Sequence, residues 1–145
     1  MRLSTKTRYG VRLMLDLARR YGEGPVYLKD IALREDISEK YLSQIVIPLR
    51  RGGLVRSVRG AHGGYSLANP PKNITLREII GPLEGISPVD CVENPSACHR
   101  VPTCAAHDIW LLLAEKIEET LDSVTLDDLA RISREKSGNN ISHNI

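Results

Sequence analysis

The stretch ISEKYLSQIVIPLRRGG, Ile37 to Gly53, limits the fold more than any other part of the chain. Leu42, Ile45, Val46 and Leu49 recur at i, i+3, i+4 and i+7, the spacing of one buried helix face. Ile37 precedes a Ser38 cap, and Gly52 and Gly53 stop the run. Pro48 lacks the amide that would reach the Gln44 carbonyl, so the final turn is expected to bend. Directly afterwards, LVRSVRGAHGGYSLANPP alternates with period two on either side of Gly60, Gly63 and Gly64, and Asn69, Pro70 and Pro71 close it. That is the pattern of a β-hairpin.

Two helices are expected ahead of this unit. Ser4 caps the first, which carries Val11, Met14, Leu15 and Ala18 on one stripe and ends near Tyr21, before Gly22, Gly24 and Pro25. The second runs from Leu28 to about Glu35 and buries Leu28, Ile31 and Ala32. Three helices and a glycine-tipped hairpin give the layout of a winged helix-turn-helix, assigned to residues 1–70.

The remainder is again helical. Thr75 and Glu78 form a capping box for a fourth helix with Leu76, Ile79 and Ile80 inside, while Gly81 and Pro82 threaten its end. From Gly85 to Pro102 three prolines and no hydrophobic period indicate a loop. Thr103 then caps a long helix whose stripe is Trp110, Ala114, Ile117, Leu121 and Val124, widened by Ile109, Leu111, Leu112 and Leu113. Trp110 is read as core. A helix apolar on more than one side needs cover from more than one neighbour. Either a second subunit or a central place in a monomer meets that need. Thr125 and Asp128 open a short last helix, so residues 71–136 hold the loop and its helices, and SGNNISHNI, 137–145, reads as a disordered tail. The fold class is mainly α with a small β-hairpin.

At 145 residues the chain can bury a real core without disulfides. Its three cysteines, an odd number, cannot all pair within the chain, and MRLSTKTRYG lacks the apolar stretch of a signal peptide. The longest strongly apolar run, Ile109 to Ala114, is too short to span a bilayer, so a soluble cytoplasmic protein with no membrane partner is expected. Charge is uneven. Residues 1–60 carry 13 Lys/Arg against 6 Asp/Glu, and residues 61–145 carry 7 against 12. A basic front suits a polyanion; a chance imbalance on a solvated surface is the plainer account. No nucleophile–base pair or phosphate loop is present, and Gly60 to Gly64 is explained by turn geometry, so an enzyme is not expected.

A recognition helix buries one face and offers donors and acceptors to base edges from the other. Lys40, Ser43 and Gln44 lie opposite Leu42, Ile45 and Leu49, and Ser38 and Tyr41 stand in the helix's first turn. Gln44 can pair bidentately with adenine, and Lys40 can donate to guanine or phosphate. Arg59 and His62 sit at the hairpin tip, where a wing meets the minor groove. Arg2, Lys6, Arg8, Arg50 and Arg51 are candidate phosphate contacts.

CVENPSACHRVPTCAAH holds every cysteine: Cys91, Cys98 and Cys104, with His107 three residues after the last. Near a helix start, Cys104 and His107 at i and i+3 share a face, and the amides there favour thiolates. Three chemistries fit. Structural zinc accepts three thiolates and an imidazole but usually has a tighter cysteine knuckle; redox thiols leave His107 without a role; an iron–sulfur cluster tolerates the wide spacings. His99, Asp90 and Glu93 lie near enough in sequence to replace His107.

The opening MRLSTKTRYGVRLMLDLA, the helix ISEKYLSQIVIPLRRGGLV, the hairpin SVRGAHGGYSLA and the Cys91, Cys98, Cys104, His107 set together resemble the Rrf family, and within it the IscR-type regulators of iron–sulfur cluster assembly. The resemblance covers Met1 to about Leu129. It implies a homodimeric repressor of cluster-assembly genes that binds palindromic promoter DNA, with a dimerisation helix over residues 103–122. It also implies a labile 2Fe–2S cluster on Cys91, Cys98, Cys104 and His107, obtained from the cluster-assembly machinery. A neutral, protonatable imidazole among thiolates accounts for the lability. IscR-type proteins commonly carry glutamate where this chain has Ser43, which leaves the operator preference open. Two alternatives stand beside this reading: a redox or nitric oxide responsive regulator, and a small iron–sulfur electron-transfer protein.

Overall fold

The computed structural model describes the backbone of residues 1–143 and the side chains of residues 1–138. Its elements run α1 (Thr5–Arg19), α2 (Leu28–Glu35), α3 (Glu39–Arg51), β1 (Val55–Val58), β2 (Gly64–Leu67), α4 (Leu76–Ile80), α5 (Asp90–Glu93), α6 (Ala105–Ser123) and α7 (Leu126–His143). The fold is the expected one, mainly helical with a two-stranded antiparallel wing. No helix among the described residues is long and apolar enough to cross a membrane.

Local signals account for most element starts. The Ser4 hydroxyl accepts the Thr7 amide at 3.1 Å, the Ser38 hydroxyl accepts that of Tyr41 at 3.0 Å, and the Thr75 hydroxyl accepts that of Glu78 at 3.2 Å. Each satisfies an amide that the helix leaves unpaired. α1 buries Leu13, Met14, Leu17 and Ala18, whereas the expected Val11 and Leu15 are half-buried. The buried face is rotated because α1 packs against α2, α3, α4, α7 and β2 at once. Gly10 makes one of those approaches possible, since a Cβ there would come 2.4 Å from Leu83 Cδ1.

α3 buries the expected four, Leu42, Ile45, Val46 and Leu49. They join Ile31, Ile37, Ile74, Ile79 and Leu126 in one core, each such side chain contributing about 1.5–3 kcal/mol. An ion pair with one enclosed partner joins α1 to α2. Asp16, fully enclosed on α1, accepts from Arg34 Nε and Nη2 at 2.9 and 2.8 Å, which raises the Arg34 guanidinium above its ordinary pKa. In the wing, Val55 faces Leu67 and Val58 faces Gly64.

The second half departs from the sequence reading in four places. The segment read as loop contains α5 and single 3-10 turns at Pro95–Ala97 and Val101–Thr103. Thr103 therefore lies in a turn, and Cys104, not Thr103, stands at the N-cap of α6, with no side-chain cap bond. Trp110 is not core: it is exposed with Ile109, Leu111 and Leu112, and the buried residues of α6 are His107 and Ala114. An apolar helix face has the same sequence pattern whether its cover comes from its own chain or another. Finally, α7 runs on through His143 where a tail from residue 137 was expected. Thr125 and Asp128 cap it reciprocally, Leu126 and Ala130 anchor it in the core, and each further residue then adds a hydrogen bond to an existing helix. Residues 144–145 of the expected tail lie outside the described residues.

Two bonds tie the end of α6 to the front of the molecule. The Leu76 amide donates to the Val124 carbonyl at 2.9 Å and the Leu126 amide to the Ile74 carbonyl at 2.8 Å. Beside them, exposed Arg77 of α4 pairs with Glu118 and Asp122 of α6 at 3.3 and 2.8 Å.

Candidate nucleic-acid interface and cysteine site

The polar face of α3 is open. Lys40, Ser43, Gln44 and Arg50 are exposed, as is Arg51. Ser43 Oγ donates to the Lys40 carbonyl at 2.6 Å, so its hydroxyl is engaged with its own helix. Ser38 is likewise engaged as the cap, although exposed. Tyr41 is half-buried with its ring edge against Tyr9 of α1, centroids 5.8 Å apart. Around the N-terminus of α1, Arg2, Lys6 and Arg8 are exposed, and Arg8 also donates to the Thr5 hydroxyl at 3.0 Å. Arg59 and His62 are exposed in the turn between β1 and β2.

Sequence reasoning missed the residues that hold this surface in place. Arg12 stands 5.4 Å above the Tyr9 ring and donates to the Glu35 carboxylate at 3.2 Å, connecting α1 to the end of α2. Tyr9 in turn supports Tyr41. No spacing rule links positions 9, 12, 35 and 41, because the contact is tertiary. Tyr27 and Val26, which touch the wing, were missed for the same reason.

In the second half, His107 is buried in the first turn of α6, and its Nδ1 lies 3.3 Å from Cys91 Sγ of α5. Cys104 is one turn back along the same helix, with its carbonyl accepting the His107 amide at 3.2 Å. Cys98 lies in the intervening segment, half-buried like Cys91 and Cys104, and all three thiols are free. Two of the four proposed donors thus meet, and a third shares the helix start. Yet among the described residues no three His, Cys, Asp or Glu side chains gather closely enough to hold a metal ion. The donors fit a cluster in type, soft thiolates with one imidazole, but not as a closed ligand set. His99, Asp90 and Glu93, the alternative donors, are exposed.

Comparison with known proteins agrees with the winged-helix geometry. The family described as "Rrf2: Iron-dependent Transcriptional regulator" matches residues 3–132. The HTH-type transcriptional regulator CymR of Bacillus subtilis is 47% identical over 131 residues, 90% of each chain. Its structure, described as that of the global cysteine regulator, superposes with a TM-score of 0.76 over 91% of this chain and 98% of that one, at 45% identity. The structure of T. potens IscR gives a TM-score of 0.77 at 43% identity, over 94% and 90% of the two chains. The HTH-type transcriptional regulator IscR of Pectobacterium carotovorum is 40% identical over 130 residues, 89% of this chain and 79% of that protein. Both CymR and IscR lie at moderate identity, so the likeness identifies the family and not the member. The chain belongs to the Rrf2 family and is a DNA-binding transcriptional regulator, not an enzyme.

Proposed function

We propose that this regulator acts as a homodimer, mainly as a repressor, and that it senses iron–sulfur cluster status through Cys91, Cys98, Cys104 and His107. The observation that carries the reading is the 3.3 Å approach of His107 Nδ1 to Cys91 Sγ, sixteen residues apart in sequence, with His107 buried. When bound, a 2Fe–2S cluster supplies an oxygen-sensitive centre whose presence reports cluster supply. The chain's own part is mechanical. Cys104 stands at the N-cap of α6 and His107 lies in its first turn, and the far end of α6 is fastened through Leu76, Leu126 and Arg77 to α4 and α7, which pack on α1 of the DNA-binding part. A change of position at one end of a rigid helix is thereby carried to the other.

Promoter DNA is read, in this proposal, by Lys40, Ser43 and Gln44 of α3 and by Arg59 and His62 of the wing, with Arg2, Lys6, Arg8 and Arg50 on phosphates. The exposed Ile109, Trp110, Leu111 and Leu112 form the contact with the second copy. A regulator that acts on promoter DNA would work in the cytoplasm.

A second reading has its own support: the 47% identity to CymR, together with donors that do not close around an ion, favours a regulator of cysteine metabolism acting without a cluster. Purification without oxygen separates the two. The cluster reading expects reddish protein containing iron and acid-labile sulfide, with visible absorption lost in Cys98→Ala. Colourless protein without iron that still binds promoter DNA fully would favour the CymR-like reading.

A further inference from the structure

We propose that Tyr27 is a positioning residue for DNA binding: it straps the wing tip to the start of α2 and so fixes the direction in which Arg59 and His62 are presented. The inference rests on the reading of the wing tip as a DNA contact. Tyr27 occupies the N-cap of α2, where serine, threonine, aspartate or asparagine would cap, and it makes no cap bond. Its side chain is used elsewhere. The Tyr27 hydroxyl donates to the carbonyl of Ala61, which lies between Gly60 and His62 in the turn. The bond spans thirty-four residues and joins that turn to the helical part of the molecule.

A second attachment, one residue earlier, holds the base of the wing. Val26 and Tyr65 exchange backbone hydrogen bonds, both at 2.8 Å, so Val26 forms an isolated antiparallel bridge to β2. Gly64 makes this approach possible. Its φ of +138° suits glycine, and a Cβ there would come 2.5 Å from the Val26 carbonyl oxygen. Between the two attachments, β1 is exposed beyond Val55, and the turn's own bond runs from the Gly63 amide to the Gly60 carbonyl, at 3.0 Å. A hairpin of four-residue strands is barely stable alone, and its glycine-rich tip is free to sample many directions. The hydroxyl of Tyr27 removes that freedom before DNA arrives, which lowers the ordering cost of binding.

The test uses the full chain and a duplex that the wild-type protein has selected from a random library. Tyr27→Phe keeps the ring and removes the bond. Its expected effects are a loss of affinity of about three- to tenfold, an unchanged melting temperature, and faster amide exchange at Gly63 in the free protein. In a chain already carrying Arg59→Ala and His62→Ala, the same substitution should cost almost nothing further, because it acts through those side chains. An equal loss in both backgrounds would mean that Tyr27 touches DNA itself, and the inference falls. Unchanged affinity or unchanged exchange on Tyr27→Phe, with a loss on Arg59→Ala and His62→Ala, overturns the strap alone. If Arg59→Ala and His62→Ala leave affinity intact, the DNA-reading wing fails and the strap with it.

Discussion

The front and back of this molecule are built to different degrees of completeness. Around α1 and α3, Leu13, Leu42, Ile45 and Leu49 are wholly withdrawn from solvent, the caps are satisfied, and even the one enclosed carboxylate, Asp16, has a bidentate arginine. On α6 one run of apolar residues faces outward: Ile109 is 57% exposed, Leu112 50% and Leu111 44%, and the cysteines around its start are half-buried. The front closes on itself within one chain. The back has the composition of a core without its second wall, which is what an α6 seated against another α6 would supply. The contrast separates two jobs. A DNA reader needs fixed geometry, whereas a sensing segment needs an arrangement that a ligand or partner can complete.

Truncating each side should show the contrast most strongly. Leu49→Ala leaves a cavity in a closed core and is expected to cost about 2–5 kcal/mol, read by denaturant unfolding. A loss below 1 kcal/mol would mean that the front is more plastic than its burial indicates. Leu112→Glu removes an exposed apolar group from α6 and puts a charge there. The expected result is dimer association weakened by about thirtyfold or more in sedimentation, with little change in the unfolding of the dissociated chain. A dimer that tolerates Leu112→Glu would place the interface elsewhere and leave the outward face of α6 without the purpose proposed for it.

Legibility in the sequence follows the same divide. Ser4, Ser38 and Thr75 could be read as caps, and Leu42 to Leu49 as a buried face, because those signals are local and the structure satisfies them within a turn or two. Trp110 fits the spacing of a core residue yet is exposed, because helical periodicity records that a face is apolar, not whose surface covers it. Of the stripe that spacing predicts for α1, Met14 and Ala18 are buried but Val11 and Leu15 only half-buried, because a helix with five neighbours has no single inward direction. α5 was invisible: four residues carry no period. At the cysteine site, the meeting of Cys91 with His107 was consistent with the donor inventory, but the sequence alone could not show that Cys98 and Cys104 would stop short of closing a ligand set. The supports of the DNA surface, Arg12 and Tyr27, depend on partners more than twenty residues away.

Within the front half, the proposed roles of α3 can be split by their response to salt and sequence. Gln44→Ala should cost about 1–3 kcal/mol of operator affinity and relax preference at one base position. Arg50→Ala should weaken all duplexes about equally and reduce the slope of log affinity against log salt by about one. The measurement is a titration of matched and mismatched duplexes at several salt concentrations. If Gln44→Ala lowers affinity uniformly and leaves base preference intact, its amide is a backbone contact, and sequence reading must come from elsewhere on the front.

The smallest effect concerns the joint between the two regions. α7 begins just after α6 ends, and Asp128 and Thr125 cap it from both sides: the Thr125 amide donates to Asp128 Oδ2 at 2.9 Å, and the Asp128 amide donates to the Thr125 hydroxyl at 3.1 Å. The Thr125 amide bond, then the Thr125 hydroxyl and Arg131, hold the Asp128 carboxyl below its usual pKa. Because the folded value is depressed, the charge contributes stability above the unfolded value of about 4 and loses it as the pH falls through the folded one. Asp128→Ala should therefore melt slightly below the wild type at neutral pH, with the gap narrowing in acid. Since α7 packs on α1, the shift belongs to the closed front and should appear equally in the dissociated Leu112→Glu chain. A gap that stays constant into acid would assign the capping to shape and not to charge, and a gap present only in the dimer would move α7 from the front of the molecule to its unfinished back.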